Sequence, residues 1–106
     1  MAITVVSKQS APNATTETTL YTVPASTSTT FSVTITNRSN ASVTYRLSKA
    51  VTGGATANKD YYAYDEAIPA NASVQRTGLV AAATDIIRIY ASTADLSFNL
   101  DGLEKT

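Results

Sequence analysis

The sequence contains no cysteine, no histidine and no tryptophan, and each absence removes a class of chemistry. Without thiols there can be neither a disulfide framework nor a thiolate metal site, so a small secreted module held by disulfides is excluded. Without imidazole no Ser/His/Asp or Cys/His nucleophile system can be assembled, and zinc loses both of its favoured ligands. Charged residues make up 15% of the chain, well under the usual quarter. The eight basic and eight acidic side chains cancel, and no basic run exists to neutralise phosphates, so nucleic acid is not an expected partner. No stretch approaches the roughly 18 apolar residues of a membrane span. The run Ile3-Thr4-Val5-Val6 is too short for the apolar core of a signal peptide. The expectation is a soluble protein made in the cytoplasm, with no membrane partner.

What is present is hydroxyl and amide. Serine and threonine form roughly a quarter of the chain, so the polar surface is largely non-ionic. At 106 residues the chain has room for one domain, and a single core of that size is stable without staples.

Period-two alternation dominates. Phe31, Val33 and Ile35 alternate with Ser32, Thr34 and Thr36; after the turn-prone Asn37-Arg38-Ser39-Asn40, Val43, Tyr45 and Leu47 alternate with Thr44, Arg46 and Ser48. That pattern predicts a hairpin. Ile87, Ile89 and Ala91, the turn Ser92-Thr93-Ala94-Asp95, then Leu96, Phe98 and Leu100 predict a second pair by the same logic. Residues 17–23, ended by Pro24, and 60–65 also read as strands, as does a short segment at 73–77 closed by Thr77-Gly78. Residues 2–7 fit an eighth strand or an arm, and the loop 51–58 around Gly53-Gly54 reads as a flexible hairpin tip. Seven to eight short strands without an amphipathic helix predict an all-β fold, a single antiparallel β-sandwich or jelly roll. Residues 1–16 form an N-terminal arm or edge strand, and residues 17–106 form the sandwich.

For an enzyme, only a carboxylate pair or a Ser/Lys dyad remains. Asp65 and Glu66 are adjacent, and neighbours on a strand point to opposite faces, so they are poorly placed to share acid/base work. A tertiary pair such as Asp60 with Asp85 has no local signal. The chain is therefore read as a non-enzyme with no cofactor and no metal. The candidates for partner contact are Tyr61, Tyr62 and Tyr64, as stacking or anchoring aromatics; Arg46 and Arg88, on the outward phase of their strands with Arg76; and Ile3 and Val5, in the N-terminal segment. Alternation puts Tyr62 and Tyr64 on one face and Tyr61 on the other. The Asn-x-Ser/Thr sequences at Asn13, Asn37, Asn40 and Asn71 are what a chain this rich in those residues produces by chance.

Several stretches also carry a resemblance: Thr19-Leu20-Tyr21-Thr22-Val23-Pro24-Ala25, Val33-Thr34-Ile35-Thr36-Asn37-Arg38, Lys59-Asp60-Tyr61-Tyr62-Ala63-Tyr64-Asp65, Ile68-Pro69-Ala70-Asn71, and Tyr90 to Phe98. In this order they resemble a group of small structural proteins of tailed bacteriophages, over nearly the whole chain beyond residue 17. The motifs are turns and strand ends, so no functional residue is carried across. The resemblance implies a virion structural protein assembled in the bacterial cytoplasm. A capsid decoration, or cement, role is expected first, with the major capsid protein as partner and self-association into a homo-oligomer or symmetric array. A tail, baseplate or tail-fibre-associated role is the alternative, with tail proteins as partners. A glycan-binding adhesion module is a further alternative of a different class.

Overall fold

The computed structural model describes residues 2–106; Met1, the first residue of the predicted arm, lies outside the described residues. Eight strands follow one another along the chain: β1 (Ile3–Ser10), β2 (Thr18–Thr22), β3 (Ser28–Asn37), β4 (Val43–Ala50), β5 (Tyr61–Ile68), β6 (Ser73–Ala81), β7 (Ile86–Ala91) and β8 (Leu96–Lys105). They form two four-stranded sheets in the orders β1-β8-β3-β6 and β2-β7-β4-β5, with all pairings antiparallel. This is the strand order of a jelly roll, a sandwich in which the chain winds from sheet to sheet.

The expected hairpins are therefore corrected. β3 pairs with β8 and β6, whereas β4 pairs with β7 and β5. The turn at 38–42 is an arch between sheets, and 92–95 is another, carrying β7 into β8. Alternation shows which side chains face the core, but both sheets face the same core, so it does not assign a strand to a sheet. Among the described residues, only β4 and β5 are neighbours both in sequence and in a sheet, joined through 3₁₀ turns at Val51–Gly53 and Asn58–Asp60. The core itself follows the alternation: Phe31, Val33, Ile35, Val43, Tyr45, Leu47, Ile87, Ile89, Ala91, Leu96, Phe98 and Leu100 are all buried. Val6 of β1 joins them, so the N-terminal strand is part of the same packed unit.

Polar latches close the two ends of the sandwich. At one end the buried Asn37 carboxamide donates to the carbonyls of Ala41 (2.8 Å), Ile68 (3.0 Å) and Pro69 (3.2 Å), and its oxygen accepts from the Ser39 amide (2.9 Å). Arg38 adds bonds to the carbonyls of Asp95 (2.9 Å, backbone) and Ala94 (2.9 Å, guanidinium). Three of the stretches that carry the phage resemblance thus meet at one corner, and the Asn37 amide is wholly engaged in the fold. At the other end the buried Asp85 carboxylate accepts from the backbone amides of Thr52 (3.0 Å) and Ala82 (2.9 Å).

Between the sheets, two tyrosines bridge. Tyr45 fills the core, while its hydroxyl donates to Glu66 of β5 (3.0 Å) and accepts from Arg76 of β6 (3.2 Å); Arg76 also pairs with Glu66. Arg76 thus occupies the inward phase, opposite Val33, and not the outward one that alternation suggested. The cause is Gly78, whose φ of 70° places an extra residue in β6, so that Phe31 faces Leu79 while Val33 faces Arg76. The strand runs on through Gly78 to Ala81. On the opposite side, Tyr21 of β2 bonds the Thr29 hydroxyl (2.9 Å) and donates to Glu104 of β8.

At Gly102 two strands of one sheet leave no room for a side chain. Gly102 faces Phe31 across the β3–β8 ladder, and a Cβ there would collide with the Thr30 carbonyl and lie 2.8 Å from the Phe31 Cα. Replacing Gly102 by Ala is expected to cost more than about 3 kcal/mol, read as a shift in urea midpoint; an unchanged midpoint would contradict this crowding. Burial, and then the adjacent Glu104 carboxylate, push the Tyr21 hydroxyl up to about 12 from its ordinary 10. A raised folded value means stability is fully present below pH 10 and lost as pH rises through the folded value, by about 3 kcal/mol for a shift of this size. Tyr21→Phe should lose correspondingly less stability than the parent between about pH 9 and pH 12, as measured by urea denaturation.

Candidate interaction surface

The outer face of the β2-β7-β4-β5 sheet carries a cluster built from three strands. Arg46 on β4 lies directly across the ladder from Tyr90 on β7, and its guanidinium carbon stands 4.3 Å from the Tyr90 ring centroid. On its other side β5 departs from regular pairing. Tyr45 faces Glu66 and Leu47 faces Ala63, so one residue more is accommodated on β5 than on β4. Asp65 takes up the excess with φ of 51°, a left-handed conformation that Asp tolerates better than most residues. This bulge turns Asp65 and Tyr64 toward Arg46. The guanidinium Nε donates to Asp65 Oδ1 at 2.7 Å and Nη2 to Oδ2 at 3.3 Å, while the Tyr64 centroid lies 4.2 Å from the guanidinium carbon. Tyr61 meets Tyr64 edge-on, with centroids 4.8 Å apart and planes at 82°.

The cation thus lies over two rings and is hydrogen-bonded to a carboxylate. Hydrogen bonding to Asp65 raises the Arg46 value above its ordinary range, and the same bond lowers that of Asp65. Both groups stay ionised at neutral pH. The rings remain available: Tyr64 is 57% exposed, and Tyr61 and Tyr90 are partly exposed. A rigid aromatic surface with hydroxyl tips suits anchoring against a protein or stacking on a sugar.

The remaining candidates divide. Tyr62 packs against the core, so the expected pairing of Tyr62 with Tyr64 is corrected to Tyr61 with Tyr64. A second irregularity of β5, between the Leu47/Ala63 and Ser48/Tyr61 pairs, reverses the phase. Arg88 is used within the chain: its Nη1 donates to the Gly54 carbonyl (2.7 Å) and the Thr56 hydroxyl (2.9 Å), holding the 51–57 loop over the sheet. The loop read as a flexible tip is therefore tied at two points, by Arg88 and by Asp85. Asp60 accepts from the Ala57 amide (2.8 Å), so Asp60 and Asp85 both bind backbone amides. Asp65 and Glu66 do diverge, one to Arg46 and the other to Tyr45 and Arg76.

Ile3 and Val5 lie on the other sheet. Val5 faces Leu103, Leu103 faces Thr30 and Thr30 faces Val80, a rung crossing all four strands. Val5 is 76% exposed, Val80 59% and Leu103 50%. A shallow groove of about 280 Å³ runs beside it, lined by Ile3, Ser28, Thr30, Leu103 and Lys105. Sequence reading missed Tyr90 and Asp65. Tyr90 was within reach, since it shares the outward phase with Arg88; the Asp65 bulge leaves no mark in the local pattern.

Comparison with protein-family models, curated proteins and solved structures gives no match. Replacing Arg88 by Ala should speed hydrogen exchange at the Thr52 and Ala57 amides while leaving exchange in β3 and β8 unchanged. Unaltered loop exchange would mean that Asp85 and Asp60 hold the loop without Arg88.

Proposed function

We propose that this chain is a structural protein of a tailed-phage particle, serving as a capsid decoration protein that bridges neighbouring subunits of the major capsid protein. The observation that carries the reading is the placement of two unlike contact surfaces on opposite sides of a thin slab. The Arg46-tyrosine platform lies on one sheet and the Val5-Leu103-Val80 rung on the other, in a molecule of 45 × 26 × 20 Å. A bridging protein needs two faces that can be engaged at once, and many modest contacts of this kind sum through multivalency. The phage-like turn and strand-end motifs support the same reading, and the jelly roll is an architecture also used in viral capsids, a fold-level analogy. A place in the tail, baseplate or fibre would use the same two faces with tail proteins as partners.

One feature favours a second reading, adhesion to glycans. A groove of about 420 Å³ lined by Lys49, Val51, Lys59, Asp60, Tyr61 and Tyr62 opens beside the platform, combining aromatic rings with a carboxylate and ammonium groups. A glycan array with the isolated chain separates the readings, since specific binding lost in Tyr61→Ala would favour adhesion.

Quantitative mass spectrometry of purified particles tests the main proposal. A copy number comparable to that of the major capsid protein is expected; a number typical of tail parts would move the protein to the tail, and absence would overturn the virion reading. On decorated particles, Tyr64→Ala is expected to reduce occupancy by about tenfold or more, as loss of an aromatic anchor does.

A further inference from the structure

The edges of the two sheets are not alike. An edge strand presents unpaired backbone groups, and proteins ordinarily blunt it with bulges, short length, proline or inward-pointing charge. β2 has five residues and a register shift between Thr19 and Tyr21. β5 carries two shifts and the left-handed Asp65. β6 has the Gly78 bulge and Arg76 on its inward phase. Among the described residues β1 is the exception: it runs eight residues in unbroken register against β8, from Ile3 opposite Lys105 to Ser10 opposite Phe98. Its one charge, Lys8, lies on the same phase as the buried Val6 and blunts only the far end. The stretch from Ile3 to Ser7 is uncharged and free of proline, with Ile3 63% and Val5 76% exposed.

We infer that β1 pairs antiparallel with β1 of a second copy, joining two four-stranded sheets into one continuous sheet of twice the width. A twofold axis along the sheet normal requires some residue to face its own counterpart, and centring on Val5 engages the whole uncharged stretch. Ile3 then lies opposite Ser7 of the second copy and Thr4 opposite Val6. Centring on Val6 would draw Lys8 into the ladder; centring on Thr4 would leave Ser7 beyond the paired part of β1.

The second copy is the favoured occupant for two reasons. An uncharged edge offers nothing for a differently charged partner to complement, and the symmetric register carries the apolar rung from Val80 through Leu103 and Val5 into the same rung of the copy. The result is an isologous interface. So short a ladder belongs with interfaces under about 1,200 Å², which associate weakly.

Sedimentation equilibrium of the full chain at high micromolar to millimolar concentration tests this. A monomer–dimer equilibrium is expected, weakened more than about tenfold by Val5→Lys, with an unchanged melting temperature because the side chain is exposed. Leu103→Lys and Val80→Lys separate edge pairing from face-to-face stacking of the same sheet. Retention of the dimer in both supports the edge, and its loss in both overturns the edge in favour of the face. A parent that stays monomeric at millimolar concentration overturns self-pairing altogether. The inference is independent of the particle reading: a dimer absent from any particle leaves it standing, and a monomeric protein found on particles refutes it alone.

Discussion

An open sandwich of two four-stranded sheets has four edges and two ends, and it holds water out of its core only if those borders are sealed by groups that can be buried without losing hydrogen bonds. Every border feature here follows from that constraint. Along the β5/β6 side the seal is Tyr45, whose ring lies in the core and whose hydroxyl reaches the seam, where Glu66 and Arg76 satisfy it from the two sheets. Along the β1/β2 side Tyr21 does the same work with Thr29 and Glu104. Burial raises both tyrosines above their ordinary values, so both remain neutral donors over the range in which the protein would function. The ends are sealed by Asn37 and Asp85, each satisfied chiefly by backbone groups. No buried side-chain nitrogen or oxygen among the described residues lacks a partner. In a fold with such dispersed pairing, these ties specify which loops meet, a task that apolar contacts perform poorly.

How much of this could be read from the sequence depended on whether the information was local. The inward residues of β3, β4, β7 and β8 were legible because alternation is a property of a few consecutive residues. Sheet membership was not, because 38–42 and 92–95 contain the same turn-forming residues that a hairpin would use. Their role as arches is set by partners distant in sequence: β3 by β8, and β4 by β7. Phase was lost wherever a bulge intervened. Gly78 could have warned of one, since an isolated glycine inside a strand often marks a bulge, and recognising it would have turned Arg76 inward. Asp65 gave no comparable warning. The tyrosine cluster was thus found by composition and misassigned by face, and Arg88 was recognised as outward-facing without any sign that the 51–57 loop would claim it.

The same bulge decides what kind of surface the platform is. Beside a regular neighbouring strand Arg46 would extend its charge into solvent, but here it is bonded to the Asp65 carboxylate and lies over the Tyr64 and Tyr90 rings. What remains for a partner is ring surface and phenolic hydroxyls, held by a cation that cannot easily move. The opposite sheet presents valine, leucine and threonine along one rung. Neither surface offers an uncompensated charge at its centre, in keeping with a chain of zero net charge. Recognition by such surfaces rests on shape and apolar burial, not on long-range attraction, and is therefore weakly dependent on salt. Its encounter rate gains little from steering. Surfaces of this kind hold a partner best where local concentration is high and the complementary site is repeated.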